Sequence, residues 1–489
     1  MKHAITLILF TAYLAVGPLP QFATTCVRAQ TYVSVDEQDT QSAALLALAV
    51  PGARYDVVNY KITYTTTDAL GMPDTASGML AVPRERSLRF PIGVYMHGTV
   101  TDREQVPSRT GTRERILVDA LATVGYITVA PDYIGLGDSE GFHPYVHAES
   151  EASAGRDLVL AAKQWMLEQN IEFNEQLFIT GYSQGGHAAM AMHRDIQENP
   201  AADSLKVTAG AHLSGPYSIS DVMREAALTE EQTTLPGFII YTYISYNNVY
   251  SIYDSLGAAF VEPYLSVIED YNEELIDGNR FNDSLTVLLE AREERLVDMF
   301  QDSIRTQLET NNDNSAIVQA LRLNDTYRWA PQSPTLIYYC TADEQVPFEN
   351  AILADSVMRD LGSTMVELVN GGARSHGDCV IPAVQATLGF FNQFAVAEPV
   401  VSVGQAVDLP GLSLSPNPVR KGALLRIFGL EATVNYRYQL TDVTGRLLQQ
   451  GLLPTDGNLA ITASARSGLH LLRIVQPDGN FAVRKLIVR

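Results

Sequence analysis

Ser183 stands in Gly181-Tyr-Ser-Gln-Gly185-Gly186, a G-x-S-x-G spacing suited to a sharp turn that lifts a nucleophilic hydroxyl above the end of a strand. Three fixed positions are a weak signal alone, and their neighbours strengthen it. Gln176-Leu-Phe-Ile-Thr runs into the motif as an apolar strand, and Gly185-Gly186-His-Ala-Ala-Met-Ala-Met runs out as a small-residue helix start. A tight strand-to-helix crossing leaves no room for side chains, which accounts for the glycines.

A serine hydroxyl needs a base, and the base needs an orienting acid. The chain has nine histidines. His3 lies in the N-terminal leader, His470 in the C-terminal tail, and His187 and His193 on the helix after Ser183, where they cannot turn back to it. His376, in Gly371-Gly-Ala-Arg-Ser-His-Gly-Asp just past a strand, is the candidate base, expected on a flexible loop over the serine. Asp343, in Cys340-Thr-Ala-Asp-Glu-Gln-Val-Pro347, is the candidate acid, with Glu344 beside it as competitor. Cys340 lies three residues before Asp343 and Cys379 three after His376. A disulfide between them is expected to pin the acid and base loops together. The loop it closes, about 38 residues, is worth about 3 to 4 kcal/mol in the chain-entropy account.

Acyl transfer also needs two backbone donors for the developing oxyanion. The N–H of Gln184, next after the nucleophile, supplies one. Thr99 N–H, in Met96-His-Gly98-Thr99, is the candidate for the other, with Gly98 allowing the turn. No cofactor is needed. His143 and His147, near Glu149 and Glu151, are weighed as metal ligands, but Pro144 disfavours a shared helical face and nothing completes a shell. They are expected to pack in a loop near the site entrance, and no metal is expected.

The elements that must position these residues follow from periodicity. Between Val57 and Asn392, short apolar runs alternate with helical patterns: Pro91-Ile-Gly-Val-Tyr-Met, Tyr126-Ile-Thr-Val-Ala, Leu177-Phe-Ile-Thr, Val207-Thr-Ala-Gly-Ala, Thr335-Leu-Ile-Tyr-Tyr and Met365-Val-Glu-Leu-Val. Such runs suit strands buried on both faces of a mostly parallel sheet in an α/β fold. The segment 217–331 breaks the alternation; acidic and tyrosine-rich, it reads as a helical lid insertion whose tyrosines form its core more than they touch ligand. The sheet unit thus comprises 30–216 and 332–395, followed by a linker over 396–411. Residues 412–489 hold short alternating segments split by Asp442-Val-Thr-Gly445, Asp456-Gly457 and Asp478-Gly479, the pattern of a small all-β sandwich.

Charge follows the same division. Of the formal −22 over 489 residues, the last 78 carry ten Lys and Arg against four Asp and Glu, while residues 30–411 hold −30. An acidic field of that size repels phosphate backbones, so nucleic acid is excluded as a partner. The N-terminus has Lys2 and His3, then an apolar run from Ala4 to Val16, and Val27-Arg28-Ala29 before Gln30. This is a signal-peptide pattern over 1–29, and its removal takes Cys26 and leaves Cys340 and Cys379 as the pair. No other apolar run reaches the roughly 18 residues a spanning helix requires. The mature chain is expected to be secreted or held at the cell surface, without a transmembrane helix.

Two resemblances extend this reading. Residues 55–395 resemble the α/β-hydrolase superfamily. Within it, His97-Gly98-Thr99, Pro131-Asp-Tyr-Ile-Gly-Leu-Gly, Gly181-Tyr-Ser-Gln-Gly-Gly and the long helical insertion are similar to the secretory lipase family. That resemblance implies a serine hydrolase acting on small-molecule or lipid carboxylic esters. The tail resembles the type IX secretion C-terminal sorting domain, through Leu414-Ser-Pro-Asn-Pro-Val419, Leu440-Thr-Asp-Val-Thr-Gly-Arg446, Ser467-Gly-Leu-His-Leu-Leu-Arg473 and Arg484-Lys-Leu-Ile-Val-Arg. It implies the type IX machinery as a partner. A peptidase on the same machinery and a catalytically silent binder on this fold are the rivals.

Overall fold

The strands of the larger unit are β1 (Tyr32–Gln41), β2 (Val57–Thr67), β3 (Pro73–Pro83), β4 (Leu88–Met96), β5 (Ile127–Pro131), β6 (Phe173–Tyr182), β7 (Val207–Leu213), β8 (Thr335–Tyr339) and β9 (Val366–Asn370). In this computed structural model they lie side by side in the order β1-β2-β3-β5-β4-β6-β7-β8-β9. The structure describes residues 31–200, 204–229, 235–399, 406–431, 434, 436–454, 456–462, 465–476 and 480–489. The signal-peptide reading over 1–29, with Cys26, and the Asp478-Gly479 turn fall outside the described residues, as does part of the linker.

From β5 to β9 every pairing is parallel, and the β1–β2, β2–β3 and β3–β5 pairings are antiparallel. The antiparallel edge is less apparent in the sequence because β2 alternates polar with apolar residues. One face of an antiparallel strand can be less deeply covered, whereas β5 and β8 are buried at every position.

Crossover helices cover the sheet. Ala148–Glu168 joins β5 to β6 and starts at the N-cap His147, whose imidazole accepts from Ser150 N–H. Leu158, Ala161 and Ala162 are wholly buried, while Trp165 is half-buried with its ring 4.9 Å from Tyr60. Gln184–Glu198 joins β6 to β7, and Glu349–Asp360 joins β8 to β9.

Between β7 and β8 the chain is helical, with Pro236–Tyr250, Tyr264–Asn272, Gly278–Arg292, Asp302–Thr310 and Ala316–Leu323 as its longer helices. Pro236 takes the first helical position, where its missing N–H costs nothing. Tyr241, Tyr243, Tyr246, Tyr264 and Tyr271 are buried in one cluster with Phe260, Phe281 and Leu285. The same cluster takes in Tyr145 and Val146, so the inserted helices pack on the sheet unit.

Residues 397–489, with 86–89, form a second compact unit. One antiparallel sheet joins Ser413–Ser415, Leu424–Phe428 and Asn458–Ala460; another joins Leu447–Leu452, Arg437–Asp442, Gly468–Val475 and Phe481–Val488. Leu425 and Ile427 from the first sheet and Leu440, Leu472, Ile474 and Leu486 from the second share one core. Alternate residues of Leu424–Phe428 are buried and exposed, as expected where one face of a strand meets a core and the other meets water.

Candidate active site

The segments bearing the candidate residues leave the sheet at the carboxyl ends of its parallel strands. His97-Gly98-Thr99 follows β4, Ser183 follows β6, Asp343 follows β8 and His376 follows β9. In open α/β sheets this edge is where ligands bind.

Ser183 has φ +61° and ψ −124°, a backbone conformation that a non-glycine residue occupies only under strain. Its N–H is fixed to Leu213 O at 2.9 Å. A Cβ on Gly181 would lie 2.1 Å from Gly185 O, and one on Gly185 would lie 2.0 Å from Met96 O. The two glycines are therefore required by the contact of β4, β6 and the helix start. Gly98 differs from them. It does not adopt positive φ, and a Cβ there would meet nothing nearer than Tyr182 O at 3.5 Å, so the turn does not demand glycine.

His376 does not lie on a flexible loop. It opens the helix His376–Phe391, with Ser375 as N-cap accepting from Asp378 N–H. Its N–H donates to Glu344 Oε2 at 3.0 Å, and its carbonyl accepts from Tyr182 Oη at 2.6 Å. With both backbone groups engaged, the imidazole has little freedom. Its Nδ1 lies 2.9 Å from Asp343 Oδ1 and 2.7 Å from Oδ2, so Nδ1 carries the donated proton and Nε2 is the free basic nitrogen. Asp343 is itself aimed by Gln345 and Val346 N–H, at 3.0 and 2.9 Å. Of the two adjacent acids, Asp343 faces the ring and Glu344 holds the backbone. Cys340 and Cys379 form a disulfide, Cα to Cα 6.2 Å, between the loop of Asp343 and the helix of His376.

Ser183, Gln184 and Thr99 line one pocket with about 820 Å³ of empty space, part of it open to solvent. Gln184 is the first residue of its helix, where a backbone N–H has no intrahelical acceptor. The rest of the wall is mostly apolar, with Val146, Ile219, Met223, Phe238, Ile239, Tyr243 and Leu321, and the charged residues in it are Arg224 and Glu344.

A buried polar network, not anticipated from the sequence, lies beneath the turn. Gln184 Nε2 donates to Glu151 Oε1 at 2.9 Å and to His143 Nε2 at 3.1 Å. Glu151 Oε2 is 2.7 Å from His187 Nδ1, and His187 Nε2 is 2.8 Å from Asn324 O. His143 and His147 are packed and buried on either side of Tyr145 and Val146, which line the pocket: His143 is bound into this network and His147 caps a helix. Burial pushes His143 down to about 3 and His147 down to about 4, so both are neutral imidazoles. His193 is buried elsewhere, against His212 at 3.2 Å and Ser333 at 2.7 Å. The residues joined in these contacts are far apart in sequence, and no local motif links them. Among the described residues no group of three or more His, Cys, Asp or Glu is arranged to hold a metal ion.

Residues 103–395 match the model of the secretory lipase family. The rice cell wall degrading esterase LipA from Xanthomonas oryzae has a similar solved structure, with TM-score 0.65 and 26% identity over 74% of this chain and 98% of that one. A putative hydrolase from Legionella pneumophila superposes with TM-score 0.66 at 26% identity, over the same shares. Candida antarctica lipase A, at 16% identity and TM-score 0.55 over 74% of this chain and 81% of that one, shares the fold. No curated protein sequence matches the chain.

Proposed function

This chain belongs to the secretory lipase family, and we propose that it cleaves carboxylic esters through Ser183, His376 and Asp343 with an acyl-enzyme intermediate. The observation that carries the reading is the bidentate contact of Asp343 with His376 Nδ1, on the same sheet edge as the strained turn at Ser183. Ser183 Oγ attacks the ester carbonyl while His376 Nε2 takes its proton. Asp343 keeps the imidazole in the required tautomer and stabilises the imidazolium that forms. The Gln184 and Thr99 N–H groups receive the oxyanion. His376 then protonates the leaving alcohol, and water, activated by the same nitrogen, releases the acid and restores Ser183.

The wall around Ser183 favours an apolar acyl or aromatic group, since polar substituents there would lose water without gaining partners. The inserted helices act as the lid of this pocket. Residues 1–29 direct export. The tail from Leu412 addresses the type IX secretion machinery, a reading that rests on its four sequence motifs. Deleting 412–489 should leave the hydrolase in the periplasm; undiminished release past the outer membrane would remove that part of the proposal.

Labelling by a fluorophosphonate, lost in Ser183→Ala, tests the nucleophile. Persistent labelling of Ser183→Ala overturns the assignment. A panel of p-nitrophenyl esters against aminoacyl and prolyl anilides tests the substrate class, and preference for the anilides replaces the esterase by a peptidase.

A further inference from the structure

Both proposed oxyanion donors rest on one short stretch of chain, His143 to Val146. Thr99 Oγ1 is 2.8 Å from Tyr145 Oη. Gln184 Nε2 reaches His143 Nε2 at 3.1 Å, and His143 Nδ1 donates to Ile134 O at 2.7 Å, which leaves Nε2 as the acceptor that Gln184 needs. One donor is tied through its hydroxyl, the other through its amide side chain.

That stretch is gripped by the inserted helix Pro236–Tyr250. Tyr145 N–H donates to Ser245 Oγ at 3.1 Å, Ser245 Oγ donates to His143 O at 3.3 Å, and Tyr246 Oη donates to Val146 O at 2.9 Å. The Tyr241 ring stacks on Tyr145, with centroids 4.7 Å apart and planes 8° from parallel. Val146 has φ +52°, a costly conformation for a β-branched residue that persists only where surrounding contacts impose it. Ser245 and Tyr246 are wholly buried, so these bonds are sheltered from competing water.

We propose that Tyr145 and His143 are positioning residues of the oxyanion hole, held by the helix Pro236–Tyr250, which is a fixed wall of the site and not a flap that swings open. The insertion then contributes to catalysis by orienting the two donors as well as by shaping the pocket. A donor displaced by a fraction of an ångström loses strength mainly in the transition state, where the charge on the oxygen is greatest. The effect belongs in kcat.

The inference rests on the assignment of Gln184 and Thr99 as oxyanion donors. It is tested on a water-soluble p-nitrophenyl ester, with active sites counted by fluorophosphonate titration so that misfolded protein does not enter the rate. Tyr145→Phe keeps the ring stack and loses the hydroxyl, Thr99→Val keeps the backbone N–H, and His143→Asn withdraws the acceptor from Gln184. Each should lower kcat per titrated site by about tenfold with KM within about twofold, less than the loss on deleting a donor outright. The Tyr145→Phe, Thr99→Val double variant should be no slower than either single one, because both break the same bond. With a sparingly soluble ester the rate should rise smoothly through the solubility limit. Wild-type kcat in both Tyr145→Phe and His143→Asn, or an abrupt jump in rate at the solubility limit, overturns the proposal. If Ser183→Ala is silent while those two variants run at the wild-type rate, this inference alone fails; turnover by Ser183→Ala removes the functional reading beneath it.

Discussion

Cys340 and Cys379, 39 residues apart in sequence and 6.2 Å apart at Cα, join the loop that presents Asp343 to the helix that begins at His376. Without the bond, β8 and β9 still fix where each segment starts, but nothing covalent fixes their separation. Both sulfurs are fully buried, so the crosslink is part of the local core. The variant Cys340→Ala with Cys379→Ala should lose about 3 to 4 kcal/mol in urea unfolding, in line with a loop of this length. Activity should fall at temperatures where the variant is still folded. A wild-type unfolding midpoint with full activity would show that the bond is dispensable to the site.

Asp343 and Glu344 are adjacent carboxylates with separate tasks. Asp343 receives the imidazole N–H, and Glu344 receives the backbone N–H of His376. Asp343→Asn should reduce kcat by about 10³- to 10⁴-fold, because an amide no longer selects the tautomer that leaves Nε2 basic. Glu344→Gln keeps an acceptor for the backbone and should cost less than about tenfold, since geometry alone is perturbed. Steady-state kinetics on the two variants separates these roles. Equal losses would contradict the division.

Much of this site can be read from the sequence because its parts are local. The glycines flanking Ser183 report a crossing of backbones, and Asp343 and His376 each come just after a strand, where an α/β sheet presents its ligand-facing loops. The buried network is not legible in the same way. Glu151, His187 and Asn324 meet only because a crossover helix, the helix after Ser183 and the end of the insertion converge, and none of them carries a spacing that announces it. His376 looked loop-borne because glycines and a serine precede it, yet Ser375 is the N-cap of a helix that Pro382 does not break. The strand β2 is hard to see for a different reason: its outer half alternates in burial, and polar residues such as Asn59 and Lys61 interrupt the apolar run.

Gly185 and Gly98 make a matched pair for substitution. A Cβ at Gly185 would lie 2.0 Å from Met96 O and 2.8 Å from His97 O, both backbone atoms that cannot rotate aside. Gly185→Ala should therefore push β4 away from the turn, costing more than about 3 kcal/mol and abolishing fluorophosphonate labelling. Gly98→Ala meets nothing nearer than 3.5 Å and should change stability by no more than about 0.5 kcal/mol. Thermal unfolding of the two variants decides the matter, and a fully stable Gly185→Ala would refute the tight crossing.

Acid should destabilise the larger unit through buried histidines. Burial pushes His143 and His193 down to about 3 and His147 down to about 4, while in the unfolded chain each titrates near 6.5. The folded values are depressed, so below about pH 6.5 the unfolded state binds more protons and stability falls until the folded values are reached. Asp119, pushed up to about 6 by desolvation, acts in the opposite sense: its folded form takes up a proton first, adding stability as pH falls from 6 toward the ordinary carboxylate range. Asp132 and Asp325, also pushed up by burial, act in the same sense as Asp119, while His212, pushed well below its ordinary value by burial, joins the three imidazoles; the carboxyls therefore offset part of the histidine effect. His147→Asn isolates a single histidine, because asparagine also caps helices well and the cap on Ala148–Glu168 should survive. Relative to wild type, this variant should lose about 2 kcal/mol less stability between pH 7.5 and pH 5, read from urea midpoints at the two pH values. An unchanged difference would mean that His147 is protonated in the folded enzyme at pH 5, contrary to its burial at the helix start.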